Sequence, residues 1–144
     1  MKSTGRLIGF DYGSQRIGVS VGNKITRTAQ PLEVIHNQKT SINWSAILKV
    51  IQEWKPEILV IGLPLSHLGE ETKMSREARS FAKKLGNKSK LDYIMVDERY
   101  STYQANHLIS HFDRSNQQVT EIDDVAAQII LETYFSNLQE KHRN

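Results

Sequence analysis

Three short apolar stretches near the start of the chain have the length and composition of β-strands. Residues 6–11 (RLIGFD) and 16–22 (RIGVSVG) are mostly apolar, and a glycine-containing turn separates them. This spacing predicts an antiparallel hairpin. A third strand is predicted near residues 29–36 (AQPLEVIH), so the first part of the chain is expected to form three strands of a sheet.

From Ser41 the apolar period becomes helical, and the first predicted helix ends before Pro56. Residues 57–63 (EILVIGL) then form a continuous apolar run, as expected for a strand covered on both faces. In the second predicted helix, which Gly86 is expected to end, the apolar residues share one face: Met74, Ala78, Phe81, Ala82 and Leu85. Residues 91–97 (LDYIMVD) predict another buried strand.

Two further helices complete the predicted fold, one from Ser101 and one from about Glu121 to Gln139. The element order is therefore β-β-β-α-β-α-β-α-α. A strand, helix and strand in succession imply parallel pairing. The predicted fold class is α/β: a five-stranded mixed sheet with antiparallel strands 1–3 and parallel strands 1, 4 and 5, flanked by helices. Residues 1–144 are expected to form a single domain.

Composition narrows the chemistry that this chain can perform. It contains no cysteine, which excludes disulfides, thiolate metal sites and cysteine nucleophiles. The net charge of +3 permits an anionic partner such as nucleic acid. Its apolar runs are too short to cross a bilayer, and its N-terminus lacks the pattern of a secretory signal. We therefore expect a cytoplasmic protein without a membrane partner.

Three acidic residues lie where predicted elements begin or end. Asp11 closes strand 1, Glu98 follows strand 5, and Asp123 opens the last helix. In open α/β sheets the carboxyl ends of the strands border the ligand crevice, so the acidic ends of strands 1 and 5 are expected to meet at one edge. Each also has an ordinary structural explanation: a turn residue for Asp11, a surface ion pair with Arg99 for Glu98, and a helix-capping acid after Thr120 for Asp123.

Helical geometry separates Asp123 from its neighbour Asp124. Asp123 shares a face with Ala127, Ile130 and Tyr134, which is expected to pack inward, whereas Asp124 begins a polar stripe. Three converging carboxylates repel one another unless a divalent cation neutralises them, and oxygen ligands suit Mg²⁺ or Mn²⁺. Two such ions could support phosphodiester cleavage. At this point a metal site and three independent structural acids both remain open.

Four motifs resemble the signature blocks of the YqgF family, in the same order and at suitable spacing: FDYGSQRIGVSVGN, ILVIGLPLSHLGEE, VDERYSTYQA and IDDVAAQIILETYF. This family is also described as pre-16S ribosomal RNA nucleases or Holliday junction resolvases. The resemblance covers nearly the whole chain and implies a ribonuclease H-like fold. It implies a catalytic, metal-binding triad of the acids already singled out: Asp11, Glu98 and Asp123. It also implies that other motif residues contact the substrate backbone or orient the acids: Arg16, Arg99 and Thr102.

The resemblance implies a metal-dependent nuclease that matures the 5′ end of pre-16S ribosomal RNA, with Mg²⁺ or Mn²⁺ as cofactor. Its partners would be RNA rather than DNA and the pre-ribosomal particle, and it would be a monomer or weak dimer. One alternative is a Holliday junction resolvase acting on branched DNA. Another is a non-catalytic RNA-binding or regulatory module. One departure from the wider superfamily is that strand 4 ends in Gly62-Leu63-Pro64, without an acid.

Basic residues cluster on and after the second predicted helix: Lys73, Arg76, Arg79, Lys83, Lys84, Lys88 and Lys90. They are interpreted either as a solvated helix face or as a track for phosphates. Tyr100 and Tyr103 could stack on a base or pack at the rim of the site. His67 lies in a loop that is expected to border the crevice.

Overall fold

A computed structural model of the chain describes residues 4–39, 41–98 and 120–143, with the side chains of the last segment described from 125 to 138. The described elements, in chain order, are β1 (Arg6–Asp11), β2 (Arg16–Asn23), β3 (Thr28–His36), α1 (Trp44–Trp54), β4 (Ile58–Leu63), α2 (Lys73–Ser89), β5 (Asp92–Asp97) and α3 (Thr120–Arg143). The predicted helix from Ser101 lies outside the described residues.

The five strands form one mixed sheet in the order β3-β2-β1-β4-β5. β2 pairs antiparallel with both β1 and β3, and β4 pairs parallel with both β1 and β5. The predicted sheet is therefore confirmed. Because β1, β4 and β5 are parallel, their carboxyl ends lie on one side of the sheet. We call this side the carboxyl edge; it is marked by Asp11, Leu63 and Asp97.

Helices cover both faces of the sheet. On one face, Ile8 and Phe10 of β1 join a buried cluster with residues of α1 and α2. On the other face, Leu7 of β1 and Val60 of β4 join a second buried cluster with residues of α3. Successive residues of a strand point to opposite faces, so β1 contributes alternately to the two clusters. The continuous apolar run of β4 is buried on both sides, as predicted.

Close packing fixes α3 against the first two strands. A Cβ atom on Gly9 would lie 2.6 Å from Ser20 Oγ and 3.1 Å from the Ala127 carbonyl oxygen. The buried Ser20 hydroxyl donates a hydrogen bond of 2.7 Å to that same carbonyl. Further along α3, Phe135 lies against Gly22, which is more distant from the carboxyl edge. α3 therefore runs antiparallel to β1 and begins at the carboxyl edge.

The ends of two helices differ from those predicted. α1 begins at Trp44 rather than Ser41, because the Asn43 side chain caps it by accepting a hydrogen bond of 3.2 Å from the Ala46 amide. α2 continues past Gly86 and ends at Ser89, and the C-cap residue Lys90 that follows has a left-handed φ of 63°. The prediction that Gly86 ends the helix is wrong.

Gly86 instead provides space for an aromatic ring. A Cβ atom there would lie 2.9 Å from Cδ1 of Tyr93 on β5. The buried face of α2 also differs in one residue from the prediction. Met74 is 42% exposed, whereas the neighbouring Ser75 is fully buried. Ser75 can be buried because its hydroxyl and amide form the hydrogen bonds of a capping box with Thr72.

β5 is an edge strand, contrary to the prediction of a buried strand. Only Val96 is buried, and Tyr93 and Ile94 are 39% and 36% exposed. The final helix starts one residue before the predicted Glu121 and extends beyond the predicted Gln139. Within the described residues, no helix has both the length and the apolar character needed to cross a membrane.

Candidate active site

Asp11 is the last residue of β1 and lies half-buried at the carboxyl edge. Leu7 packs in the α3 cluster, and a Cβ on Gly9 would meet Leu131 of α3. Asp11 follows Gly9 by two residues, so it occupies the face of β1 that α3 covers. In the neighbouring β2 it pairs with Gly18, which presents no side chain.

Glu98 follows β5 directly and lies over the neighbouring strand β4. The Glu98 side chain fills the space above Gly62. A Cβ atom on Gly62 would lie 2.7 Å from Glu98 Cδ and 2.6 Å from Ile130 Cδ1 of α3. Gly62 follows Ile61, which pairs with Phe10. The Glu98 side chain therefore crosses β4 on the α3 face, toward the end of β1.

The side chains of Asp11 and Glu98 are joined by a hydrogen bond. Burial raises the pKa of Glu98 above its ordinary value, the negative charge of Asp97 raises it further, and the hydrogen bond with Asp11 opposes this shift. When both carboxyl groups are ionised, two negative charges lie close together in a partly buried place, which favours binding of a cation.

Gly62 is a position to which the sequence interpretation gives no role of its own. A side chain at position 62 would occupy the place of the Glu98 carboxyl group, so glycine is needed there for Glu98 to cross β4. The available signal was a glycine inside an otherwise apolar buried strand, which often marks a close approach.

Asp123 lies in the first turn of α3, one turn before Ala127, and its side chain lies outside the described residues. The residues predicted to share its face, Ala127, Ile130 and Tyr134, are buried, so that face of α3 packs inward as predicted. Because α3 begins at the carboxyl edge, its first turn lies on the same side of the sheet as Asp11. Among the described side chains, no three of His, Asp or Glu form a group that could hold a metal ion.

Arg16 lies near Asp11 in the sheet. It is the exposed first residue of β2 and lies two residues before Gly18, the pairing partner of Asp11. It shares a strand face with Ser20, whose hydroxyl contacts α3. Arg16 is thus at the carboxyl edge on the same face as Asp11. Other sequence-predicted contact residues lie outside the described residues: Arg99, Tyr100, Thr102 and Tyr103.

The loop after β4 is held in a defined shape beside this edge. The Ser66 hydroxyl accepts hydrogen bonds from the amides of Leu68 and Glu70, at 3.3 and 3.1 Å. The Thr72 hydroxyl donates a hydrogen bond of 3.0 Å to the Pro64 carbonyl. The exposed His67 is part of this hydrogen-bonded loop, which follows the end of β4 at the carboxyl edge. That the loop borders the crevice stays a prediction.

Solved structures of the same fold come from Holliday junction resolvases. Thermus thermophilus RuvC in complex with a Holliday junction substrate superposes with a TM-score of 0.62 at 13% identity, covering 94% of this chain and 96% of that chain. The yeast mitochondrial Holliday junction resolvase Ydc2 superposes with a TM-score of 0.59 at 12% identity, covering 99% and 82%. At such low identity the likeness concerns the fold alone, and the predicted ribonuclease H-like fold is confirmed.

Sequence comparison places the chain in one family. Residues 5–137 match the family model described as "RuvX: Holliday junction resolvase". A Paraburkholderia phytofirmans relative named "Putative pre-16S rRNA nuclease" is 39% identical over 136 residues, which cover 94% of this chain and 91% of the relative. A Klebsiella pneumoniae relative of the same name is 38% identical, with 92% of this chain and 96% of the relative covered. The chain belongs to this family of nucleases, the same YqgF family that its motifs resemble, and nucleic acid is its substrate.

Proposed function

We propose that this protein is a divalent-metal-dependent nuclease that processes structured RNA, and that Asp11, Glu98 and Asp123 are its catalytic metal ligands. The observation that carries the proposal is the Asp11–Glu98 carboxyl pair, which two parallel strand ends bring together across Gly62. A turn residue and a surface ion pair would not need to meet in this way. The first turn of α3 supplies Asp123 from the same side of the sheet.

The donor atoms at this edge fit a hard divalent cation. Asp11 and Glu98 offer carboxylate oxygens, and the raised pKa of Glu98 reflects the cost of ionising a carboxyl group that is largely buried. Asp11 and Glu98 would hold the metal together with Asp123. When bound, Mg²⁺ or Mn²⁺ supplies activation of a water molecule and stabilisation of the leaving oxygen during phosphodiester cleavage.

The remaining residues of the proposed site act on the phosphate. Arg16 shares the face and edge of Asp11, where a guanidinium can bind a phosphate through paired hydrogen bonds. Arg99 and Thr102 are proposed to bind the same backbone or to orient the acids. Glu98 would bind the metal in its ionised form. The products would be a 5′-phosphate and a 3′-hydroxyl.

The proposed natural substrate is the 5′ region of pre-16S ribosomal RNA, within a pre-ribosomal particle in the cytoplasm. The names of the relatives support this substrate, because they share more than a third of their residues with this chain along nearly its full length. A monomer or weak dimer suffices for a single cut. The second candidate is resolution of branched DNA, which the fold shared with solved resolvases favours and which requires two sites in one assembly.

A direct comparison of substrates separates these candidates. The wild-type protein is incubated with an end-labelled pre-16S RNA fragment and with a labelled four-way DNA junction, each with Mn²⁺ or EDTA. We expect Mn²⁺-dependent cleavage of the RNA that is at least tenfold faster than cleavage of the junction. Faster, symmetrical cleavage of the junction would favour the resolvase. Binding of the RNA without any cleavage would contradict the nuclease and favour an RNA-binding module.

A further inference from the structure

α2 carries a concentration of positive charge that the proposed catalytic site does not use. Its sequence, KMSREARSFAKKLGNKS, contains one acidic residue, Glu77, and six basic residues: Lys73, Arg76, Arg79, Lys83, Lys84 and Lys88. The buried residues of α2 occupy one face. At 100° per residue, Arg76 and Lys83 lie opposite that face, with Lys73 and Lys84 beside them.

Two of the six basic side chains already have partners in the structure. Arg79 donates hydrogen bonds to both carboxylate oxygens of Glu71, the shortest at 2.7 Å. Lys88 lies over the Trp44 ring, with its Nζ 5.2 Å from the ring centroid. The remaining four lysine and arginine side chains are exposed, and within the described residues none of them forms an ion pair. We call these four residues the α2 basic face: Lys73, Arg76, Lys83 and Lys84.

The first turn of α2 does not carry the charge that best suits the N-terminus of a helix, although Glu71 lies just before it. Acidic residues favour the first turn of a helix because its N-terminus is positive, yet the first turn of α2 contains none. Lys73 lies in this first turn and Arg76 follows it directly, so both residues add positive charge to the end of the helix that is already positive. The amides there are engaged by the Thr72–Ser75 capping box, so attraction to an anion would come from the side chains.

The position of α2 connects this charge to the active site. α2 follows β4, and the Thr72 hydroxyl bonds the Pro64 carbonyl just beyond the end of that strand. The helix therefore starts near the carboxyl edge. Its 17 residues extend for roughly 25 Å along the face of the sheet opposite to α3. A polyanion held at the carboxyl edge could continue along this helix.

We propose that the α2 basic face binds the sugar–phosphate backbone of the nucleic-acid substrate outside the cleavage site. This inference rests on the proposed nuclease function and adds a feature of the substrate: it must extend well beyond the cut phosphate. Lysine and arginine contacts to phosphates give affinity without sequence selectivity, and they release bound counterions. Substrates too short to reach α2 should not depend on the α2 basic face.

The test compares two variants that lose the same charge at different places. The triple variant Arg76→Gln/Lys83→Gln/Lys84→Gln removes three charges from the α2 basic face. The control Lys39→Gln/Lys49→Gln/Lys55→Gln removes three exposed charges elsewhere. Binding of a fluorescein-labelled 24-base-pair RNA duplex with a single-stranded 5′ extension is measured by anisotropy in EDTA, between 50 and 300 mM NaCl. Cleavage of the same RNA and of an eight-nucleotide RNA is then measured with Mn²⁺.

The plot of log K against log [NaCl] has a negative slope, and each phosphate contact contributes up to about 0.9 to its magnitude. The α2 variant, which loses three contacts, should therefore show a slope that is smaller in magnitude by about 2–3. Affinity at 100 mM NaCl should fall tenfold or more, whereas the control should lose less than about threefold. The α2 variant should cut the short RNA at the wild-type rate. If the two variants gave equal salt slopes while the wild type bound the RNA normally, the α2 basic face would not bind the RNA backbone. The proposed nuclease function would be unaffected by that result. If the wild type did not bind the RNA at all, both this inference and the proposed function would be wrong. If the α2 variant lost cleavage of the short RNA as much as cleavage of the long RNA, the α2 basic face would not act outside the cleavage site.

Discussion

Replacing Gly62 with alanine is expected to slow phosphodiester cleavage about a hundredfold while the protein remains folded. The added Cβ would lie 2.7 Å from Glu98 Cδ and 2.6 Å from Ile130 Cδ1, so at least one of these side chains must move. Glu98 lies nearer the exposed edge and has more freedom than the fully buried Ile130. A displacement of about 1 Å in a catalytic group can cost about a hundredfold in rate. Initial rates with Mn²⁺ on the pre-16S RNA fragment provide the measurement.

Gly86→Ala is the matched control for this substitution. Its Cβ would lie 2.9 Å from Tyr93, so it introduces a comparable collision remote from the carboxyl edge. Overpacking costs about 1–3 kcal/mol of unfolding free energy, so both variants should show a lowered melting temperature. Only Gly62→Ala should lose cleavage. Equal rates for the two variants would show that Gly62 does not position Glu98.

Replacing Glu98 with glutamine is expected to stabilise the metal-free protein and, at the same time, to abolish most of its activity. Burial raises the pKa of Glu98, so the folded protein holds this proton more tightly than the unfolded chain does. That contribution to stability is complete below about pH 4.3, the ordinary pKa of a glutamic acid, and is lost as the pH rises through the folded-state pKa. Glutamine carries no charge at any pH and avoids this loss.

Thermal melts in EDTA at several pH values measure the effect on stability. The melting temperature of Glu98→Gln should exceed that of the wild type at pH 7.5, by about 2–4 °C for each kcal/mol of relieved penalty, and the two should converge near pH 4. Added Mn²⁺ should stabilise the wild type more than the variant, because a ligand stabilises the state that binds it. Cleavage should fall by about a hundredfold or more, since loss of even an outer-shell metal partner costs 10–100-fold.

Glu132→Gln is the control for the removal of a carboxylate with a raised pKa. Partial desolvation raises the pKa of Glu132, which accepts a hydrogen bond of 3.3 Å from Gln128 on the same helix. Its removal should leave both the Mn²⁺ response and the cleavage rate unchanged. If Mn²⁺ stabilised wild type and Glu98→Gln equally, Glu98 would not be a metal ligand.

The parts of the fold that follow from local pattern could be predicted from the sequence. Short apolar runs, helical periodicity and the order of elements were sufficient for the mixed sheet and its parallel strands. The errors occur where long-range packing decides. The burial of β5 depends on its place at the sheet edge, and Gly86 serves a contact with Tyr93 rather than the end of a helix.

The candidate site shows the same division between local pattern and long-range contact. Asp11 could be singled out because a carboxylate at the end of a buried strand is costly without a partner. Its partner could not be chosen from spacing, since the contact with Glu98 joins residues 87 positions apart and depends on β4 lying between them. The need for glycine at position 62 follows only from the path of the Glu98 side chain across β4.

Cleavage of nucleic acid by this protein is expected to need a metal ion held by Asp11 together with Glu98. The most direct measurement compares wild type with Asp11→Asn, purified in parallel, on the labelled pre-16S RNA fragment and the four-way junction, with and without Mn²⁺. Asparagine keeps the shape and a hydrogen bond to Glu98 but removes the charge. We expect Mn²⁺-dependent cleavage by the wild type and a rate at least a hundredfold lower for Asp11→Asn. Equal residual cleavage by both proteins would contradict a catalytic role for Asp11 and would identify the activity as a contaminant.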